Sequence, residues 1–103
     1  MDISEISSVR SDAEFVRERL PIPDILEQLA EEAAELAQAA NKLARIKRGI
    51  NPTPVTEIEA AKNLIEELSD VALITELVLQ INPDAAITRN KLQRWRERIE
   101  NAK

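Results

Sequence analysis

The sequence contains no cysteine and no histidine. A disulfide framework is therefore excluded, and so is any metal site built on thiolate or imidazole. Nucleophilic or base chemistry at a Cys or His is excluded as well. Any metal must be held by oxygen, which points to Mg²⁺, Mn²⁺ or Ca²⁺. The di-iron centre of ferritin-like bundles takes a His from each Glu-x-x-His motif and cannot be assembled here. Glycine occurs once, at Gly49, and the aromatics are limited to Phe15 and Trp95. The aromatic and β-branched runs of a sheet protein are missing. Long apolar runs are missing too. The longest, Val71 to Ile81, is interrupted by Thr75, Glu76 and Gln80 and cannot span a bilayer. Met1–Arg10 is polar and has no signal-peptide pattern, so a cytoplasmic protein with no membrane partner is expected.

What is present is mainly Leu, Ala, Ile and Glu, a composition that favours helices. The 103 residues suffice for one domain, 1–103, with a modest core. The net charge of −5 argues against nucleic acid as a partner. An acidic protein that handles a polyanion needs metal ions between the two.

Prolines punctuate the chain. Pro21 and Pro23 precede one long periodic stretch, Pro52 and Pro54 a second, and Pro83 a third. Pro23-Asp24, Thr53-Pro54 and Asn82-Pro83-Asp84 read as helix starts. Gly49 follows Lys47-Arg48 and reads as a C-terminal cap. The expectation is an all-α antiparallel bundle of about four helices. They run from Asp2 or Ser11 to Arg19, then about Pro23–Arg48, Pro54–Ile81 and Asp84–Ala102. The short Gly49–Thr53 connection makes the two long helices an antiparallel hairpin.

In the second helix, Leu26, Leu29, Ala33, Leu36, Ala40 and Leu43 recur at helical spacing as one apolar stripe. Glu32 lies at its edge and Glu35 just beyond. In the third, the stripe is Leu64, Leu68, Val71, Ile74 or Thr75, Val78 and Ile81. Glu67 falls inside that stripe, with Asp70 to its side. After Asp70 the helix is apolar almost all round. Leu73 and Leu77 face away from the stripe, so a second subunit is expected to cover them. Phe15 and Trp95 read as packing residues, Trp95 seating the fourth helix on the core.

An ionised carboxylate in an apolar seam costs several kcal/mol unless it is compensated. No Lys or Arg lies within one turn of Glu32 or Glu67 on its own helix. Glu32 and Glu35 are three residues apart, as are Glu67 and Asp70, so each pair shares a helix face. Such pairs also occur on solvated faces, as at Glu97–Glu100. Two pairs on consecutive helices, each at an apolar seam, are a different matter. Four carboxylates plus waters suit a hard octahedral cation.

Glu31-Glu32-x-x-Glu35 followed by Glu67-x-x-Asp70 resembles the signature of the MazG-like nucleoside triphosphate pyrophosphohydrolases. These belong to the all-α NTP pyrophosphatase superfamily, which also holds all-α dUTPases and dCTP pyrophosphatases. The surrounding segments LEQLAEEAAELAQAANKLARIKRG, NLIEELSDVALITELV and KLQRWRERI are similar too, and the resemblance spans Ile25 to Ile99. It implies a helical bundle that forms a homodimer or homotetramer and cleaves a nucleoside triphosphate to the monophosphate and pyrophosphate. It implies Mg²⁺, with Mn²⁺ as a substitute, held by Glu32, Glu35, Glu67 and Asp70. Glu31 matches the extra acid that orients or deprotonates the attacking water. Lys91 and Arg94 match basic residues that contact phosphates, and Lys42 and Arg45 are placed to help. The linker Ile46 to Lys62 departs from many members, and aromatics to stack a base are scarce, which leaves the base preference open. The competing reading of the same residues is a non-catalytic helical interaction module with a structural divalent-metal site.

Overall fold

Three of the four α-helices begin where a side chain takes up a free backbone N–H group, and the second begins at a proline. In the computed structural model, which describes residues 1–50 and 54–102, α1 spans Ile3–Arg19, α2 Ile22–Arg48, α3 Glu57–Ala72 and α4 Ala85–Asn101. Asp2 caps α1 by accepting from the Glu5 N–H at 2.8 Å, and Asp84 caps α4 by accepting from Ile87 N–H at 3.0 Å. Pro21 precedes α2, and Pro23 sits in its first turn. The start of α3 differs from the expected Pro54. Thr56 Oγ1 accepts from Glu59 N–H at 3.1 Å, and Thr56 N–H donates to Glu59 Oε2 at 3.3 Å. This reciprocal capping box fixes the first turn after Thr56. Pro52 and Thr53, part of the expected loop and helix-start signal, lie outside the described residues.

Gly49 ends α2 in the left-handed conformation at φ 69°, as its position after Lys47-Arg48 suggested. The second and third helices pack as the expected antiparallel hairpin. A 3.2 Å ion pair between Lys47 and Glu57 ties its loop end. At the other end Ile25, Ile74 and Val78 form a small core, with Val16 of α1, Leu29 and Leu79 packed on it.

The inward face of α2 differs from the expected stripe. It runs through Ile25, Leu29, Glu32, Leu36, Ala39 and Leu43, whereas Leu26, Ala33 and Ala40 are exposed. Leu29, Leu36 and Leu43 are common to both, but Ile25, Glu32 and Ala39 take the places of Leu26, Ala33 and Ala40, which moves Glu32 from the edge of the seam into its line. On α3 the inward positions are Ala60, Leu64, Glu67 and Val71, while Leu68 and Ile81 are exposed.

The third helix does not continue to Ile81 as a regular α-helix. Leu73–Val78 is a π-helical turn, closed by Leu79 N–H on Ile74 C=O at 2.8 Å. Thr75 Oγ1 donates back to Val71 C=O at 3.2 Å, a bond that competes with the regular ladder. Gln80 then turns left-handed at φ 57°. Arg17 of α1 donates from Nη1 to Leu77 C=O at 2.8 Å and to Val78 C=O at 3.4 Å. One guanidinium thus satisfies two carbonyls at a helix end and holds α1 against the turn.

Every residue of α4 is exposed. Trp95 does not seat α4 on the core; it is 59% exposed, and α4 has no buried residue among those described. Phe15 is likewise exposed, with Arg19 stacked 4.4 Å from its ring centre. The Cα radius of gyration is 17.6 Å, against about 13 Å for a compact domain of about 100 residues. No described helix is long and apolar enough to cross a membrane.

The Arg17 contact generates a stability prediction. Arg17→Ala should cost about 1.5 kcal/mol, the low end of the range for hydrogen bonds from a charged donor, because the shorter bond is exposed. That corresponds to a Tm lower by roughly 5–10 °C in a domain of this size. An unchanged melt would mean that apolar contacts such as those of Ala13 and Val16, and not this bond, hold α1.

Candidate metal centre

The antiparallel register sets the Glu32–Glu35 pair of α2 opposite the Glu67–Asp70 pair of α3. Carboxylate oxygens of Glu32, Glu35 and Glu67 lie within 4.8 Å of one another. Oxygens on opposite sides of one hard cation are about 4–5 Å apart at ordinary bond lengths, so three fit around a single ion. Glu32 and Glu67 are half-buried and Glu35 is exposed, which leaves the group open on one side for waters or phosphate oxygens.

The hydrogen bonding of this group is incomplete. Oε2 of Glu32 and Oε2 of Glu67 are both buried and have no hydrogen-bond partner. Buried polar atoms are nearly always paired, and an orphaned carboxylate oxygen calls for a ligand. Among the described residues the ion pairs are Lys47–Glu57 and Arg96–Glu100, neither of which involves the triad. An acceptor-only set of three carboxylates, two of which have an oxygen withdrawn from water, fits a hard divalent cation such as Mg²⁺.

Asp70 stands beside the triad. It is half-buried and lines, together with Glu32, a cavity of about 260 Å³. Burial is the main cause that raises the Glu32 carboxyl above its ordinary 4.5, and the charges of Glu35 and Asp70 add to it. The Gln28 amide opposes the shift by donating from Nε2 to Glu32 Oε1 at 2.9 Å.

The remaining expected residues are dispersed. Glu31 lies on α2 next to the triad but is exposed. Lys42 is half-buried and Arg45 exposed, about 10 and 15 Å along α2 from Glu35 at the helical rise of about 1.5 Å per residue. Lys91 and Arg94 line an open groove on α4 with Arg98. The chain by itself does not fold α4 back onto the carboxylates. Gln28 and the α1 residues Val16 and Leu20, which wall the cavity, went unnoticed in the sequence. Gln28 was findable, since it stands four residues before Glu32, at the spacing where side chains on a helix meet.

Comparisons with known proteins add no relative: no protein-family model, curated protein or solved structure matches the chain.

The raised Glu32 carboxyl has a signed consequence. Its folded value lies above its unfolded one, so protonation favours the folded state. That contribution is complete below about 4.5 and is lost as pH rises through the higher folded value. In chelator-treated protein, Glu32→Gln should therefore be more stable than wild type at pH 7, with the gap closing as pH falls towards 4.5. Urea titrations of both proteins at several pH values check this. A variant less stable than wild type at pH 7 would contradict it.

Proposed function

We propose that the protein is a Mg²⁺-dependent nucleotide pyrophosphohydrolase of the MazG-like kind, cleaving a (d)NTP to the (d)NMP and pyrophosphate. The observation that carries this reading is the pair of buried, partnerless oxygens on Glu32 and Glu67, two residues on the inward faces of α2 and α3. Structural carboxylates in such a seam would be paired with Lys, Arg or backbone N–H groups. These are left available, within reach of a third carboxylate.

In this reading Glu32, Glu35 and Glu67 hold Mg²⁺, with Asp70 beside them as the fourth acid; Mn²⁺ can substitute. Bound Mg²⁺ supplies charge neutralisation to the phosphates and acidity to a coordinated water. Glu31, exposed at the rim, orients the attacking water or takes its proton, the role left to a carboxylate in a chain without His. Water adds at phosphorus, the bridging P–O bond breaks and pyrophosphate leaves with the bridging oxygen. Lys42 and Arg45 from α2, and Lys91 and Arg94 from α4, complement charge on the leaving pyrophosphate.

The working unit is a homodimer or homotetramer. Leu73 and Leu77 are 45% and 39% exposed, and Leu92, Trp95 and Ile99 form an open apolar stripe on α4. An unburied stripe of this kind is the signature of a helix that packs on another copy. Assembly also offers α4 a route to the carboxylates that a single chain lacks. Light scattering at micromolar concentration should give a mass at least twice the 11.6 kDa chain. A stable monomer would overturn this part of the proposal.

The same exposed stripe favours the second reading, a non-catalytic interaction module in which the ion is structural. The two part on nucleotide. Wild-type protein with Mg²⁺ should release pyrophosphate from at least one member of a panel of common and damaged nucleoside triphosphates. Glu67→Gln should lower the rate by about 10²-fold or more. Protein that gains thermal stability from metal, gains nothing further from a nucleotide analogue and leaves the whole panel intact would be the module instead.

A further inference from the structure

The two oxygens of Glu32 stand in different situations. Oε1 accepts from the Gln28 amide, whose Nε2 lies 2.9 Å away, one turn earlier on α2. Oε2 is buried and has no partner. One oxygen is therefore held by the protein and the other is left for a ligand. A carboxylate at the end of a flexible side chain gives up rotamer freedom when it takes an ion. The Gln28 bond restrains the Glu32 head beforehand, which is what a hydrogen bond behind a metal ligand does.

Charge explains why the donor is an amide. A Lys or Arg at position 28 could hold the same oxygen, but it would also neutralise the carboxylate and so satisfy the seam. An amide donates without carrying charge. Glu32 keeps its negative charge, and the ion pairs of the described residues, Lys47–Glu57 and Arg96–Glu100, leave it untouched. As a stabilising contact the bond accounts for little. Gln28 is exposed, and a side-chain pair four residues apart on a helix surface adds only slightly to stability.

We propose that Gln28 is a positioning residue of the carboxylate site, a neutral donor that holds Glu32 by Oε1 and so presents Oε2 to a divalent cation with the charge of the group intact. This rests on the cation reading of the triad, and needs neither a nucleotide nor its hydrolysis.

The test uses Mn²⁺ as the probe, with binding followed by electron paramagnetic resonance in wild type, Gln28→Met and Gln28→Lys. Glu67→Gln, which should lose the ion, locates the signal at the triad. Met nearly matches Gln in length and helix propensity and offers no donor. Gln28→Met should weaken Mn²⁺ binding by about 10–100-fold, the usual cost of removing a hydrogen bond behind a metal ligand. The melt of the same variant in chelator should move by less than about 4 °C, as for a pair on a helix surface. Gln28→Lys restores a donor but brings a competing charge, and should bind Mn²⁺ no better than Gln28→Met. Unchanged affinity in Gln28→Met, wild-type affinity in Gln28→Lys, or a chelator melt that falls together with the affinity overturns the inference. Wild type that binds Mn²⁺ at the triad while both variants bind it equally well removes this inference and leaves the cation reading. Wild type that binds no Mn²⁺ removes both.

Discussion

Two glutamates sit where a helical hairpin would ordinarily place alkyl side chains. Glu32 follows Ile25 and Leu29 along the inward face of α2, and Glu67 follows Ala60 and Leu64 along that of α3. Each loses part of its hydration, and one oxygen of each has no partner in return. The cost of such placement is several kcal/mol per ion in proteins at large. A chain with so small a core has little stability to spare for it. The buried set consists of Ala13, Ile25, Ala39, Ala60, Ile74 and Val78, half of it alanine. Burial acts on Glu32 accordingly and pushes its carboxyl upward. The seam is thus unsatisfied at one point, which is the ground for the proposed cation.

The rest of the architecture serves to hold that point. Lys47–Glu57 at the loop end and the Ile25–Ile74–Val78 cluster at the other set the register that brings 32 and 35 opposite 67. The π-helical turn follows just beyond Asp70, and its residues line the cavity beside the carboxylates together with Val16 and Leu20 of α1. π-turns are rare and frequently lie at functional sites. Here the turn is stabilised from outside by Arg17, so α1 is both the brace of the turn and the wall of the cavity. α4, by contrast, buries none of its described residues.

Much of this was legible in the sequence, and the parts that were not share physical causes. The helices, their antiparallel pairing and the Gly49 cap follow from proline and glycine punctuation, which acts locally. Glu67 was identifiable as a carboxylate inside a seam because its neighbours Leu64 and Val71 are unambiguous. The face of α2 was misjudged by one residue because alanine on both sides of the helix says little about which side is buried. Starting the stripe at Leu26, which is exposed, instead of at the buried Ile25 places Glu32 at the edge. The π-turn depends on the backbone competition at Thr75 and on Arg17 from a distant helix, neither of which leaves a periodic signal. Trp95 was expected to plug the core because large aromatics usually do, but its partner is not within the chain.

The central claim is that the unsatisfied seam is a cation site. Anomalous diffraction from crystals soaked in Mn²⁺, with Glu67→Gln as the companion, tests it most directly. The expected result is a single strong peak within bonding distance of Glu32, Glu35 and Glu67, absent in the variant. No peak at the triad, or a peak there that survives removal of the Glu67 carboxylate, would contradict it.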